Sequence, residues 1–135
     1  MARVEMTIDS VRRGLHYEWV VILKEKLAKR YLPIYMGSSQ ADIIKSLLVG
    51  TEPAEPVDYD FSVPEVDTTD AVLKSLIING FENNIFYAKL LFTHHEISYK
   101  VDCPVAKAIA LVVKAGVPIF AEEALLNKVA IAVHA

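Results

Sequence analysis

Hydrophobic and polar positions alternate strictly over residues 3–9, with apolar side chains on one side and charged or hydroxyl side chains on the other. A period of two is typical of a half-buried strand. Residues 17–24 are apolar on both faces and rich in β-branched and aromatic side chains, which predicts a central strand. Residues 30–36 predict a third strand, and Pro33 places it at an edge or at a strand end. We expect these three strands to form an antiparallel meander.

A helical period begins after Gly37. Ser39 and Asp42 have the spacing of a capping box, S-x-x-D, and apolar residues follow at positions three and four apart. Gly50 is of the residue type favoured just beyond a helix C-terminus. The pattern therefore predicts a helix that starts at Ser39 and ends before Gly50.

A second helix is predicted ahead of residue 80. Asp67 and Asp70 supply N-terminal caps, and Asn79-Gly80 supplies a stop signal. The apolar residues between them recur three and four positions apart, as on one face of a helix: Val72, Leu73, Leu76 and Ile77. Residues 51–64, which contain three prolines, predict an irregular connection before this helix.

A β-hairpin is predicted next along the chain. Residues 85–93 and 96–102 each place apolar side chains at alternating positions, and His94-His95 lies at the turn between them. The two histidines could bind a metal ion, but neighbours on an extended chain point to opposite sides. Solvated turn histidines are therefore the favoured interpretation.

The last part of the chain predicts two more helices. Pro104, at a first helical position, and Gly116 enclose a segment that is apolar almost all round, which indicates a nearly buried helix. Residues 117–120 predict a short strand or an extended link. Glu122 and Glu123 then favour the N-terminus of a final helix, where their charge suits the helix dipole.

The predicted order is β-β-β-α-α-β-β-α-(β)-α, which is an α+β fold. We expect one domain over residues 1–135, with a mostly antiparallel sheet (a meander plus a hairpin) packed with about four helices. The core is expected where the most apolar helix meets the hairpin, between Ile109, Leu111, Val112 and Val113 on one side and Phe86, Leu90 and Phe92 on the other.

Composition adds expectations about partners and location. The chain is 53% hydrophobic, above the usual range of about 45–50% for soluble domains, so we expect either a homo-oligomer or a dense core. A net charge of −3 argues against a large basic surface for duplex nucleic acid, while leaving room for a local patch. A single cysteine, Cys103, allows no internal disulfide and favours the cytoplasm. The apolar runs are too short to cross a membrane.

Generic catalytic motifs are absent from the sequence: it has no glycine-rich phosphate loop, C-x-x-C, H-E-x-x-H or G-x-S-x-G. Cys103 lies beside a helix start, which could lower a thiol pKa, but a small half-buried residue without a role is the favoured interpretation. Residues 52–70 carry seven carboxylates and no lysine or arginine. They could hold a hard divalent ion, although a solvated connection with two helix caps is favoured.

Several stretches, in order along the chain, resemble the bifunctional nuclease domain family, long described as a domain of unknown function. The most specific is Ala-Ile-Ala-Leu at residues 108–111 followed by Lys-Ala-Gly-Val-Pro-Ile-Phe at residues 114–120. Less specific agreement covers residues 30–37, residues 40–50, and Pro56 with Tyr59-Asp60. The resemblance implies the fold of the bifunctional nuclease domain family and the activity of a nuclease that acts on both RNA and DNA.

The chain departs from the family pattern at polar positions. Before Ala-Ile-Ala-Leu the family reads Arg-Pro-Ser-Asp, so its serine is replaced by Ala106 and its aspartate by Lys107. Gln40 stands where the family has glutamate, and Glu55 stands where the family has arginine. Gln40 cannot act as a general base, and Lys107 cannot be a carboxylate ligand.

The resemblance implies phosphodiester hydrolysis assisted by a divalent ion, Mg²⁺ or Mn²⁺. Asp60 and Asp102 are the retained acids and the candidate catalytic residues, with Asp60 also the candidate metal ligand. Gln40 and Lys107 are the candidates for substrate binding, with single-stranded nucleic acid as the expected partner. The departures predict weak or absent cleavage. The alternative is a catalytically silent oligomeric binding or interaction module on the same scaffold.

Overall fold

The computed structural model describes residues 2–14, 16, 18–27, 29–51 and 71–132. Within these ranges the chain forms eight strands and three helices, which in chain order are β1 (Arg3–Arg13), β2 (Trp19–Glu25), β3 (Arg30–Met36), α1 (Ser38–Leu48), β4 (Val72–Glu82), β5 (Ile85–His94), β6 (Ile97–Pro104), α2 (Val105–Ala115), β7 (Ile119–Glu122), α3 (Glu123–Val129) and β8 (Ile131–Ala132). The mixed α+β class is confirmed. No helix in these ranges is long and apolar enough to cross a membrane.

All eight strands belong to one sheet, in the order β6-β5-β4-β7-β1-β2-β3-β8. The predicted meander β1-β2-β3 and the predicted hairpin β5-β6 are both confirmed, with antiparallel pairing throughout. The short strand β7 joins the two halves: it is antiparallel to β1 and parallel to β4. The sheet is therefore mostly antiparallel, with one parallel pair at its centre.

The first strand runs past the point where the sequence alternation stops. The pairing of β1 with β2 shifts between Ile8 and Ser10, so Asp9 is an extra residue in a β-bulge. Ile8 and Val11 then both pack against the core, although they are three positions apart and a regular strand would point them to opposite faces. The bulge explains why a strict period of two predicted only the first seven residues of this strand.

The predicted helix before residue 80 is wrong, because residues 72–82 form strand β4. Leu76, Ile77 and Ile78 are consecutive and buried, as in a strand with neighbours on both sides and cover on both faces. Asn79-Gly80 is not a helix stop; the β4-β5 pairing shifts between Ile78 and Gly80, which marks a second bulge. The described part of the chain therefore has three helices rather than about four.

Helices α1 and α2 pack against each other on one face of the sheet, and α2 also contacts β4, β5 and β6. Ile109, Leu111 and Val112 are fully buried, while Val113 is only partly buried. They share one hydrophobic core with Leu90, Phe92 and the partly buried Phe86, as predicted.

The helix ends differ in one respect from the sequence pattern. α1 begins one residue earlier than predicted, after Gly37, and Gln40 rather than Asp42 supplies the side chain that caps it. Gly50 and Gly116 both adopt positive φ, +79° and +71°, just beyond the ends of α1 and α2. This left-handed conformation favours glycine and ends each helix where the sequence predicted.

The sheet curls so strongly that distant strands approach each other. Five strand spacings separate β3 from β5, which would be roughly 24 Å in a flat sheet. Yet Tyr35 of β3 lines the same cavity as Ile85 and Phe86 of β5. Helix α3 contacts β3, β4 and β7, and so bridges the two halves of the curl.

Arg30 ties α3 to the β2-β3 hairpin. Its Nε and Nη2 donate to the two carboxylate oxygens of Glu25 at 2.8 and 2.6 Å, and Nη1 donates to Oδ1 of Asn127 at 2.8 Å. Nη2 also lies 2.8 Å from Oε1 of Glu123. Glu25 is only 4% exposed, and hydrogen bonding to Arg30 holds the pKa of its carboxyl below the usual value. We call these four residues the Arg30 network.

Strands β4, β5 and β6 form a second antiparallel meander. Each of its two turns consists of two residues at positive φ: Asn83 and Asn84 between β4 and β5, and His95 and Glu96 between β5 and β6. Two consecutive residues of this kind match a type I′ turn, whose twist suits paired strands. Asparagine tolerates the left-handed conformation, whereas glutamate at φ +67° is strained.

Glu96→Gly is therefore expected to raise the free energy of unfolding by roughly 0.5–1 kcal/mol, since relief of strain exceeds the entropy that glycine adds to the unfolded chain. Urea denaturation measures the change. Asn84→Gly is the matched control at the other turn, where we expect a change of only a few tenths of a kcal/mol, since asparagine already tolerates positive φ. A less stable Glu96→Gly protein would contradict this explanation.

Candidate functional site

Two adjacent cavities open beside the first residues of β5, and Ile85 and Phe86 form part of both walls. The first, of about 460 Å³, lies between β3 and the β4-β5 hairpin. The second, of about 640 Å³, extends along β5 and β6 to Cys103 and Pro104. Both cavities have lining residues next to or in the first turn of α2, Pro104 in one and Val105 in the other, and we call the pair of cavities the β5 cleft.

Four aromatic residues line the β5 cleft: Tyr35, Phe81, Phe86 and Tyr87. Phe81 and Phe86 pack with ring centroids 4.4 Å apart and planes tilted by 45°. Tyr35 and Tyr87 lie in the walls of the first and second cavity, and their side chains are 62% and 48% exposed. Exposed rings beside a cavity offer flat faces on which a planar ligand can stack.

Polar groups occur at a few points in this cleft. Asn84 lines the first cavity, while Asn79 and Lys89 line the second. The Oδ1 atom of Asn79 is buried and accepts no hydrogen bond within the described part of the chain. Because buried polar atoms usually have a partner, this oxygen is a candidate acceptor for a ligand donor.

Asp102, one of the two retained acids, lies on β6 at the rim of the second cavity. It stands directly opposite Lys89 of β5 in the sheet, and Nζ of Lys89 lies 3.4 Å from its Oδ1. The Asp102 side chain is 86% exposed, so this pair contributes little to stability. The consequence of this pair for the site is that a positive charge lies next to the Asp102 carboxylate.

Cys103 and Lys107 lie on either side of the start of α2. The Cys103 side chain is buried in the core, and burial raises the pKa of its thiol, although the charge of Lys107 acts in the opposite direction. A thiol with a raised pKa is a poor nucleophile. Cys103 is more buried than the half-buried residue that the sequence predicted. Lys107 itself is half-buried, in the first turn of α2.

Gln40 lies away from both cavities, as far as their walls are described, and it has a structural partner. Its Oε1 accepts a hydrogen bond from the backbone N–H of Gly37 at 3.0 Å. The side chain therefore satisfies a donor at the N-terminus of α1. Neither Gln40 nor Lys107 is among the residues that line the β5 cleft, whereas Asp102 is.

Asp60 lies outside the described residues, as does the whole acidic segment 52–70. In the described ranges no three histidine, cysteine or acidic side chains lie close enough to hold a metal ion together. The nearest charged neighbour of Asp102 is a lysine, which repels a cation. The residues described so far therefore do not fit a hard divalent ion, which prefers several oxygen ligands.

His94 and His95 lie at the other end of β5, at the hairpin turn. Their rings pack edge to face with centroids 4.1 Å apart. The turn itself consists of His95 and Glu96, and His94 is the last residue of β5.

Sequence reasoning missed most of the β5 cleft. Tyr87 and Lys89 carried no motif, because each lies at an ordinary position of a strand, and neither Tyr35 nor Asn79 was predicted to be a site residue. One signal could have found Lys89: residues 89 and 102 stand opposite each other once the hairpin turn is placed at residues 95 and 96. Tyr35 could not have been found, because the curl of the sheet brings it to β5.

The fold and this cleft define the chain as an α+β protein with an aromatic pocket beside a lysine–aspartate pair. Residues 21–134 match the bifunctional nuclease domain family, and the chain belongs to that family. The match begins within β2 and continues to β8 with the three helices between them, so it covers every element that lines the cleft.

Two relatives come from Mycobacterium tuberculosis, one from strain CDC 1551 and one from strain H37Rv, and both are described as uncharacterized proteins. Each is 34% identical to this chain over 107 residues, which is 79% of this chain and 63% of the relative. The chain thus spans 63% of the length of the relatives it matches.

Proposed function

We propose that this protein binds single-stranded nucleic acid in the β5 cleft and that it hydrolyses phosphodiesters only weakly. The observation that carries the proposal is the composition of the second cavity of the cleft, which is lined by the exposed Tyr87, by Lys89, and by Asn79, whose buried Oδ1 accepts no hydrogen bond within the described part of the chain. Membership in the bifunctional nuclease domain family supports the substrate class. We also infer that the scaffold is the one that the family shares.

Binding is explained by stacking combined with one favourable charge. A base that stacks on an aromatic side chain gains about 1–3 kcal/mol, and stacking requires an unpaired strand. Tyr87 and Lys89 are two residues apart on β5 and therefore point to the same face, where a base and its phosphate can both be reached. With a net charge of −3, binding is expected to be weak and to depend strongly on salt.

Weak hydrolysis follows from the departures from the family pattern. Gln40 is an amide and caps α1, so it offers no carboxylate. Ala106 is buried and has no hydroxyl group, and Lys107 brings a cation where the family has an acid. Asp102 remains as the candidate base, but one of its carboxylate oxygens already lies in an ion pair with Lys89.

A divalent ion enters this proposal only through Asp60. Asp60 stays the proposed metal ligand by family resemblance, with Mg²⁺ or Mn²⁺ as the ion, and Asp102 is proposed as a catalytic acid without a ligand role. The loss of carboxylates at positions 40 and 107 lowers the affinity expected for a hard cation, since ligand charge sets that affinity.

The test is a cleavage assay on single-stranded RNA and DNA with added Mg²⁺ or Mn²⁺. We expect the wild type to cleave slowly and Asp60→Asn to cleave no faster than a blank without protein. The double variant Gln40→Glu/Lys107→Asp restores the acids of the family pattern and is expected to cleave faster than the wild type. Lys29→Asp, an exposed charge reversal on the β2-β3 connection, is the matched control.

If the wild type cleaves robustly and Asp60→Asn abolishes that cleavage, the proposal of weak hydrolysis is contradicted and the chain is a fully active nuclease. If the wild type binds but neither it nor the double variant cleaves, the chain is a catalytically silent binding module. That second candidate is favoured by the use of Gln40 as a helix cap and by the pairing of Asp102 with Lys89.

A further inference from the structure

We propose that strand β6 is a self-association surface, on which two copies of the chain pair edge to edge in antiparallel orientation around Val101. This inference does not rest on the proposed function. It gives a specific surface to the homo-oligomer expected from the apolar composition.

The first observation is that β6 is the outermost strand of the sheet. It runs over eight residues, Ile97–Pro104, and pairs with β5 on one side only. Among the described residues no strand covers its other side. Ile97 is 56% exposed, and the Asp102 side chain is 86% exposed. A long edge strand presents unpaired N–H and C=O groups, which are a template for another strand.

The second observation is the charge pattern along this edge. Lys100 and Asp102 are two residues apart on one face of the strand, and both are exposed. In a twofold antiparallel pair centred on Val101, each Lys100 stands opposite Asp102 of the second copy. Opposite charges directly across a strand pair are favourable, and like charges are unfavourable.

Other registers are less favourable. A twofold pair centred on Lys100 places the two lysines opposite each other, and a pair centred on Asp102 does the same for the two aspartates. A register in which each residue pairs one position further along would place the core-facing side chains of one copy opposite the outward-facing side chains of the other. Of these registers, the one around Val101 is the one that places opposite charges across the pair.

The opposite face of β6 agrees with this register. Tyr99, Val101 and Cys103 alternate with the charged residues, and Val101 and Cys103 pack against the hydrophobic core. Centred on Val101, the pair places Val101 beside its own copy and Tyr99 beside Cys103 of the second copy. Charged side chains meet charged ones on one face, and apolar or aromatic side chains meet on the other.

Pairing would also change the surroundings of the candidate site. Asp102 already has Lys89 of its own chain 3.4 Å away across the β5-β6 pair. In the dimer, Lys100 of the second copy would approach from the other side. The rim of the β5 cleft would then carry a second positive charge, contributed by the partner copy, which favours an anionic ligand.

Sedimentation velocity at micromolar concentration tests the proposal with charge reversals. The wild type is expected to sediment at twice its 15.0 kDa mass. Lys100→Asp and Asp102→Lys are each expected to sediment as monomers, because like charges then face each other at both ends of the pair. An equimolar mixture of the two variants should recover the dimer, since acidic and basic edges become complementary. Lys29→Asp, which changes the net charge equally away from this edge, should leave the dimer unchanged.

Hydrogen exchange of the wild type provides a measurement that needs no variant. Amides of β6 that point away from β5 are expected to exchange more slowly as the protein concentration rises. A wild type that sediments as a monomer, or reversals that leave the dimer intact, would overturn the proposal. β6 amides whose exchange is independent of concentration would overturn it as well.

Discussion

Leu111→Ala is expected to lower the free energy of unfolding by about 2–5 kcal/mol. Leu111 is fully buried in the middle of α2, inside the core that α2 forms with Leu76 and Leu90. Truncation removes buried methyl groups and leaves a cavity that the surrounding strands can fill only in part. Urea or thermal unfolding of the purified protein measures the loss.

The matched control for this variant is Leu48→Ala. Leu48 is also a helical leucine, but it lies at the end of α1 and is 46% exposed. We expect its truncation to cost less than about 0.5 kcal/mol, as for most surface substitutions. If Leu111→Ala also cost less than roughly 0.5 kcal/mol, α2 would not be a core element.

Arg30→Met is expected to lower the free energy of unfolding by about 3 kcal/mol at neutral pH, at the lower end of what the loss of one partner of a buried pair costs. Glu25 would keep its buried position but lose both hydrogen bonds to the guanidinium group. The variant would also release Asn127 and Glu123, and with them the attachment of α3 to β3.

The loss should depend on pH in a defined direction. The pKa of Glu25 in the folded protein is below its ordinary value, so the Arg30 network contributes stability above the ordinary glutamate pKa of about 4.3. That contribution disappears as the pH falls through the lowered pKa. The difference between wild type and Arg30→Met should therefore be largest near neutral pH and shrink in acid.

Two controls separate the network from ordinary surface charge. Lys26→Met removes a basic partner from the exposed Lys26–Glu5 pair, at 3.1 Å, and should cost less than about 1 kcal/mol. In Glu25→Leu/Arg30→Met the buried carboxylate is absent, so most of the lost stability should return. An Arg30→Met protein as stable as Lys26→Met would show that the network is not a structural link.

The sequence predicted strands and helices best where one periodicity was unambiguous. The alternation of β1 and of the β5-β6 hairpin, and the glycines after α1 and α2, led directly to elements in the structure. The prediction for the segment that forms β4 was wrong because its apolar residues fit one face of a helix as well as a buried strand: Val72, Leu73, Leu76 and Ile77. Asn83-Asn84 would have distinguished the two possibilities, because these residues form a type I′ turn, which joins two strands.

The arrangement of the strands could not be predicted from the sequence. The four residues of β7 join two meanders through a parallel pair with β4, and nothing in Ile119–Glu122 specifies those neighbours. The curl of the sheet depends on that junction and on the two bulges in β4 and the one in β1. Strand neighbours and curvature arise from tertiary packing rather than from local patterns.

The residues of the candidate site divide in the same way into those that a sequence motif identifies and those that only the tertiary structure brings together. Asp102 was found from the sequence through its family position, and it does line a cavity. Gln40 and Lys107 were found in the same way, yet neither lines the β5 cleft. Tyr87 and Lys89 reach this cleft through the pairing and bend of strands, which no short motif records.

Fluorescence anisotropy of a labelled single-stranded oligonucleotide tests the central claim most directly. We expect the wild type to bind, with the logarithm of the affinity falling linearly against the logarithm of the salt concentration. Tyr87→Ala should lose about 1–3 kcal/mol of binding free energy, the contribution of one stacked base. Val72→Ala, an exposed side chain at the far end of β4, should bind as the wild type does. A wild type that does not bind, or a Tyr87→Ala variant that binds equally well, would contradict the assignment of nucleic-acid binding to the β5 cleft.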